Sequence, residues 1–229
     1  MKYRFFDIFL GLFVAVLLIS NVASTKIVSF GAITFDGGTI LFPLVYILGD
    51  VFTEVYGYRA ARRVIWVGFT CALLMSLVFI VVGMMPAATD WAHQDAYDAI
   101  LGLTPRIVLA SLAAYLVGEF ANSGIMAKMK VATKGRFLWT RTIGSTIVGQ
   151  GLDTVFFVLV AFAGILPGSV LWSIIITNYI FKVGIEVVLT PVTYRGIKYV
   201  KEREQIDVYD THTKLNPFSI TKDKVIRNL

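Results

Sequence analysis

The sequence predicts an all-α integral membrane protein: one bundle of six transmembrane helices, with both termini on the cytoplasmic side. Three observations predict it. Hydrophobic residues make up 57% of the 229 residues and charged residues only 16%, with a mean hydropathy of +0.75. A soluble domain of this length needs more polar side chains to cover its surface. Apolar runs near or above the ~20 residues that span a bilayer recur along the chain. They are long blocks, not the alternating segments of roughly ten residues that build a membrane barrel. Finally, under a six-span topology 18 of the 21 basic residues fall in segments facing the cytoplasm, the side on which Lys and Arg accumulate.

The first span covers about 5–27. Its apolar run from Phe6 to Ile19 continues into "SNVASTK", long enough to be retained as a membrane helix and not cleaved as a leader. The connection "KIVSFGAITFDGGTI" alternates weakly and carries an Asp36-Gly37-Gly38 turn signal. It reads as a short hairpin, as a loop folded over the bundle, or as a plain surface loop. Glycines at 31, 37 and 38 would let it hinge as a lid. The second span, 40–57, has a short apolar part and holds Asp50 and Glu54. Charge supports it: without it Arg59, Arg62 and Arg63 would lie opposite the N-terminus.

The third span, 63–85, contains Cys71, a lone cysteine read as a small buried apolar side chain. The outer loop 86–104 has no Lys or Arg and carries Asp90, Asp95 and Asp98. Thr104-Pro105 suits an N-cap followed by proline at the first helical position, opening the fourth span, 105–127. There Ala110, Ala114 and Gly118 form a small-residue face suited to close packing, read as bundle contact in preference to a dimer seam, although a homodimer is compatible with the sequence. The fifth span runs 141–166, Pro167-Gly168-Ser169 makes a tight outer turn, and the sixth runs 169–194. Residues 1–195 thus form the transmembrane domain. Residues 196–229 form a polar cytoplasmic tail, helical through Lys198–Arg203 and looser beyond. The net charge of +6 reads as topology and attraction to anionic lipid, with the bilayer as partner and no nucleic acid.

Six ionisable residues remain inside the spans: Asp50, Glu54, Glu119, Asp153, Lys182 and Glu186. One ionised side chain at a helix centre costs about 2.5–3.5 kcal/mol on insertion scales, so such groups must face one another or a wet cavity. Their spacing supports a shared interior. Asp50 and Glu54 are four apart, on one helical face. Glu119 is followed by Asn122 and Ser123, and Gln150 by Asp153 and Thr154, at offsets of three and four. Asn178, Lys182 and Glu186 repeat every fourth residue. Lys182 and Glu186 can partly neutralise each other along their helix, either as an ion pair fixing register or as part of a binding stripe. Asp153 with Gln150, in "GQGLDTVFF" between Gly149 and Gly151, is the sharpest binding signal, because small residues let a ligand approach the backbone.

Enzymatic readings lack parts. The only histidines, His93 and His212, fall in an outer loop and in the tail, so metal-hydrolase and Ser-His chemistry have no intramembrane histidine. No GxxxxGK[ST] loop occurs, and haem or iron–sulfur ligation has no ligand set; no catalytic group, metal or cofactor is expected. A pocket for a small polar molecule fits better. A carboxylate accepts two adjacent N–H donors, and an amide supplies one donor and one acceptor. Phe42, Tyr46, Phe156, Phe157 and Tyr179 could stack on a flat ring. The candidate binding residues are Asn21, Tyr46, Asp50, Glu54, Asn122, Gln150, Asp153, Asn178, Lys182 and Glu186.

Four motifs in order, "SNVASTK", "FPLVYILGDVFTEVYGYRAARRVIW", "GQGLDTVFFVLVAFAG" and "NYIFKVGIEVVLTP", resemble the queuosine precursor transporter family, also described as vitamin-uptake-like. The resemblance covers roughly residues 10–195. It implies a six-helix importer of 7-deazaguanines such as 7-cyano-7-deazaguanine in the bacterial or archaeal cytoplasmic (inner) membrane. It also implies a distant likeness to the substrate-binding subunits of energy-coupling-factor transporters, where an outer loop after the first helix closes over the ligand. On that reading Asp153 or Glu54 would take the ring N–H and exocyclic amine. Gln150, Asn178 and Asn21 would take the remaining polar groups, and Lys182 would hold Glu186 or a neighbouring carboxylate. Three readings stay open: a stand-alone secondary carrier or facilitator, a binding subunit needing an ATP-driven partner, and a membrane scaffold whose buried charges specify packing.

Overall fold

The computed structural model describes residues 3–23, 25–30, 33–102, 105–164, 167–211, 213 and 215–218. Apart from one short hairpin these residues are mostly helical. Helix α1 (Phe6–Ala23) leads into an antiparallel hairpin, β1 (Ile27–Phe30) and β2 (Ile33–Asp36), then a 3-10 turn over Gly37–Ile40 and α2 (Phe42–Val51). A π-helical turn (Phe52–Tyr56) separates α2 from α3 (Tyr58–Gly83). The short α4 (Gln94–Leu101) precedes three long helices: α5 (Pro105–Ala132), α6 (Leu138–Phe162) and α7 (Gly168–Glu204). Among the described residues, four helices are long and apolar enough to cross a membrane: α1, α3, α6 and α7.

The connection after α1 is therefore a hairpin, with the register Ile27↔Asp36 to Phe30↔Ile33. Asp36 is paired with Ile27 within the hairpin, so the Asp36-Gly37-Gly38 signal is not its turn. Gly37 serves another purpose. Its N–H donates to Lys26 O at 2.8 Å, and a Cβ there would stand 2.7 Å from Ala23 O. Only glycine lets the hairpin close this tightly on the end of α1. The outer loop contains α4, which the sequence pattern did not signal. The Thr104 cap expected for α5 lies outside the described residues, and Pro105 opens that helix.

The apolar core is built where α1, the α2–π segment and α3 meet. Phe13, Leu17, Val45, Phe52, Val55, Val64 and Ile65 are buried together. Phe6 stacks edge-on to Phe52 and Tyr56 at centroid distances of 5.2 and 5.1 Å, a geometry aromatic pairs favour. On the other side α5 packs extensively on α6. Their backbones touch at two glycines: a Cβ on Gly118 would lie 3.0 Å from Gly149 O, and one on Gly149 would lie 3.0 Å from Gly118 O. Ala110 and Ala114 are buried within the chain, as expected for bundle packing. Cys71 is only partly buried, because much of α3's length faces outward.

The described part of the tail packs back on the bundle after α7. Gln205 adopts a left-handed conformation at φ 53°, and the described residues from Gln205 to Phe218 turn back along the ends of the helices. Val208 N–H donates to Val55 O at 3.3 Å. Tyr58 N–H donates to Asp210 Oδ2 at 2.9 Å and Tyr58 Oη to Leu215 O at 3.0 Å. Arg62 and Trp66 then donate to the carbonyls of Asn216 and Pro217 at 2.9 and 3.0 Å. Glu204 meanwhile accepts from the backbone N–H groups of Arg4 and Phe5 at 3.0 and 2.6 Å. It thereby satisfies orphan donors at the start of α1, where a carboxylate also complements the helix dipole. The beginnings of α1 and α3 and the end of α7 thus meet at one end of the bundle.

Gly57 ties these features together. It sits at φ 84°, and a Cβ there would lie 2.7 Å from Val208 Cγ1. Gly57→Ala should destabilise the protein by about 1–3 kcal/mol from backbone strain alone. A lowered thermal midpoint in detergent, with the tail more open to protease, is the expected reading.

Candidate functional site

Two polar clusters lie inside the bundle, and they differ in how completely their atoms are matched. The first closes the end where the tail folds back. Glu54, on the π turn, is fully buried. Arg141 of α6 grips it with two bonds, Nε to Oε2 at 2.7 Å and Nη2 to Oε1 at 2.6 Å. Lys201 of α7 donates to Oε1 at 2.5 Å. Lys130 of α5 stands 3.5 Å from the same oxygen and donates to Glu54's own carbonyl at 2.5 Å. Asp207 of the tail bridges Lys130 and Lys201 at 2.5 and 2.9 Å. Bidentate Arg–carboxylate geometry is the strong form of this contact, and each charge here has a counterpart. Burial pushes the Asp207 carboxyl up, but Lys130 and Lys201 outweigh it and hold it below its ordinary value.

The second cluster lies deeper. Asp50, near the end of α2, accepts from Asn122 Nδ2 of α5 at 2.9 Å. Lys182 of α7 donates to Asp153 Oδ2 of α6 at 2.8 Å. Glu186 of α7 accepts from Thr146 Oγ1 at 2.6 Å and from Gln150 Nε2 at 3.4 Å, both on α6. The spacing of Thr146, Gln150, Asp153 and Thr154 places them on one helical face, and all are buried. Gly118 draws three helices together: a Cβ there would lie 2.7 Å from Asp153 Cβ and 3.2 Å from Tyr46 Oη. Glu119 of α5 is wholly buried, against Gly49 of α2. Asp50, Glu186 and Asp153 all act on it electrostatically.

Several atoms of this second cluster are unmatched. Among the described residues, Asp50 Oδ2, both oxygens of Glu119, Asn122 Oδ1, Gln150 Oε1 and Thr154 Oγ1 are buried with no hydrogen-bond partner. Buried polar atoms are matched in the great majority of cases, so a convergent group of exceptions calls for an explanation.

The structure thus brings Tyr46, Asp50, Asn122, Gln150, Asp153, Lys182 and Glu186 into one interior. Three expectations need correction. Lys182 and Glu186 do not pair along α7. Lys182 reaches across to Asp153 and Glu186 to Thr146 and Gln150, because α6 presents a complementary polar face where it packs on α7. Glu54 offers no free edge, since both its oxygens are held by cations. Asn21 turns back on its own helix, its amide donating to Leu17 O at 2.9 Å. Asn178, one turn before Lys182, is partly buried. Among the proposed stacking rings, Phe156 lies on an exposed face, Tyr179 donates to Ile147 O at 3.1 Å, and Phe42's side chain is outside the described residues. The sequence counted Glu119 among the intramembrane charges but left it out of the binding set. Its signal was the run Tyr115, Glu119, Asn122, Ser123 on one face of α5.

Comparison with known proteins bears on this interior. Residues 36–196 match the family model described as "Putative vitamin uptake transporter". A "Probable queuosine precursor transporter" of Bacillus subtilis (strain 168) is 31% identical over 203 residues, 86% of this chain and 87% of its own. The chain belongs to the queuosine precursor transporter family. A "Queuosine precursor transporter" of Escherichia coli (strain K12) is 27% identical over 155 residues, 66% of this chain and 67% of that protein. No solved structure matches the chain. Membership of the queuosine precursor transporter family and four spanning-length apolar helices make this a multi-pass membrane protein.

Two measurements check the matched cluster. Glu54→Gln leaves Arg141 without its carboxylate, and breaking a buried pair costs about 3–5 kcal/mol. Thermal unfolding should show a large loss of stability. Asp207 sets a pH dependence. Its folded pKa lies below the unfolded value of about 3.9, so its stabilisation is present above about pH 4 and fades as pH falls through the depressed folded value. Limited proteolysis should therefore open residues 205–218 in acid, and Asp207→Asn should open them at neutral pH.

Proposed function

We propose that this chain imports queuosine precursors, 7-deazaguanines such as 7-cyano-7-deazaguanine, across the bacterial or archaeal cytoplasmic membrane as a stand-alone secondary carrier or facilitator. One observation carries the reading: in a transporter-family chain, buried amide, hydroxyl and carboxylate atoms from α2, α5 and α6 converge without partners. A planar heterocycle with several N–H donors and ring acceptors complements such a set. A scaffold whose charges only specify packing would match them, as the Glu54 cluster does.

The topology we propose has six spans, with the α2–π segment and α5 added to the four long apolar helices. Helix α5, at 28 residues, is about 42 Å long at 1.5 Å per residue. Both termini are placed in the cytoplasm. The meeting of α1's start, α3's start and α7's end at one basic end of the bundle supports this, as do Arg59, Arg63, Lys128, Lys130 and Arg141 in the segments that would share that side. Residues 1–195 would form the transport unit, related in plan to energy-coupling-factor binding subunits. Residues 196–229 would form the cytoplasmic tail, and the hairpin would lie on the outer face. A homodimer is compatible with this arrangement.

The test is uptake of radiolabelled 7-cyano-7-deazaguanine by liposomes containing the purified chain alone. Saturable uptake, competed by 7-deazaguanine and not by biotin, is expected. Asp153→Asn, which removes the carboxylate that accepts from Lys182, should reduce that uptake about tenfold or more, the scale of a charged hydrogen bond. Binding without uptake would point instead to a subunit that needs an energy-coupling partner. Absence of both binding and uptake overturns the reading.

A further inference from the structure

We infer that Glu119 is the specificity-determining residue of this transporter, its carboxylate taking a pair of adjacent N–H donors on one edge of a planar solute. The inference rests on the transport reading above and adds what the site selects for.

The argument starts from what each buried carboxylate already does. Glu54 is held by Arg141 and Lys201. Asp153 accepts from Lys182, Asp50 from Asn122, and Glu186 from Thr146 and Gln150. Glu119 differs. It is fully buried, and neither oxygen has a partner among the described residues. An unmatched carboxyl group in a dehydrated interior costs several kcal/mol. Retaining one on a helix that could carry Leu there is explained by a ligand that satisfies it.

The surroundings state which ligand. A carboxylate presents two parallel acceptors, and its complement is two parallel N–H donors, as in a ring N–H beside an exocyclic amine. Gly49, whose missing side chain makes room for the carboxylate, faces Glu119. No group of three His, Cys, Asp or Glu among the described residues is placed to hold a metal ion, which favours a hydrogen-bonding edge over a cation. Asp50 Oδ2 and Asn122 Oδ1 nearby on α2 and α5 are also unmatched, which strengthens the preference for a donor-rich solute.

Sites built around a donor pair discriminate sharply against solutes that lack one donor, because the abandoned acceptor stays buried and unmatched. The experiment compares wild-type liposome uptake of 7-cyano-7-deazaguanine with that of its analogue lacking the exocyclic amine and of its analogue methylated on the ring nitrogen. Each deletion should lower uptake efficiency at least tenfold. In Glu119→Gln, whose amide offers one acceptor and one donor, the preference for the exocyclic amine should shrink to within about twofold. Asp153→Asn should slow both solutes and keep their ratio. Wild-type uptake that ignores both deletions, or a Glu119→Gln ratio equal to wild type, overturns this inference and leaves the transport reading standing. Absence of any deazaguanine uptake by wild type overturns the transport reading. The analogue comparison on the wild-type protein decides the matter even where the variant does not fold.

Discussion

The Glu54 carboxylate is the point on which the rest of the structure depends. An ionised group buried among apolar helices is tolerable only if opposite charges reach it with good geometry. Here those charges come from three separate helices, Lys130 on α5, Arg141 on α6 and Lys201 on α7. Since Glu54 rides on the segment that continues α2, one side chain ties four parts of the bundle at a common end. Asp207 extends the tie to the tail through the same two lysines. Net stabilisation from such clusters is modest against an apolar alternative, but leaving any one member alone is costly. The cluster therefore specifies the arrangement of the helices more than it adds to their total stability.

The contrast with the deeper set is what the transport proposal rests on. Both clusters draw on α5, α6 and α7, and the carboxylates at their centres, Glu54 and Glu119, are fully buried. Around Glu54 the carboxylate oxygens are engaged, whereas around Glu119 acceptors outnumber donors. Packing alone does not account for the difference, since Gly49, Gly118 and Gly149 show that the helices approach as closely as backbones allow. Closer approach cannot bring further protein donors to Glu119. The shortage is of N–H and O–H groups, and a donor-rich solute is the economical way to supply them.

Much of this was legible from spacing. The polar faces of α5 and α6 follow the helical period, and the positions of the long helices follow the apolar blocks. What spacing could not show was which face meets which. The i to i+4 offset made Lys182 and Glu186 look like a pair, but the bundle offered each a better partner on α6. The same offset made Asp50 and Glu54 look like neighbours on one surface. The π turn over Phe52–Tyr56 winds more loosely than an α-helix. It rotates Glu54 away from the line of Asp50, toward Arg141, while Asp50 stays with Asn122. No local residue choice announces that turn, which depends on tertiary partners on both sides. The tail was opaque for a related reason: its contacts are mostly backbone carbonyls and a few side chains meeting a distant helix end, with no periodic pattern to read.

That π turn also sets a mechanical relation between the two clusters. Gly49 and Asp50 touch α5 at Glu119 and Asn122, and one turn later Thr53 donates to Ser123 at 3.1 Å and Glu54 is clamped. Any movement of α2 that parts Gly49 from Glu119, and so opens the unmatched groups, pulls on a segment anchored four residues away. π-Turns are rare and frequently lie at functional sites, and this one lies between the unmatched groups and the groups that must stay paired. On the transport reading proposed above, exchange of solute would be accommodated by rewinding one turn while Arg141 and the lysines keep hold of Glu54. A regular α-helix through Phe52–Tyr56 would transmit the whole displacement to the clamp, where the buried Glu54 carboxylate is held by Lys130, Arg141 and Lys201.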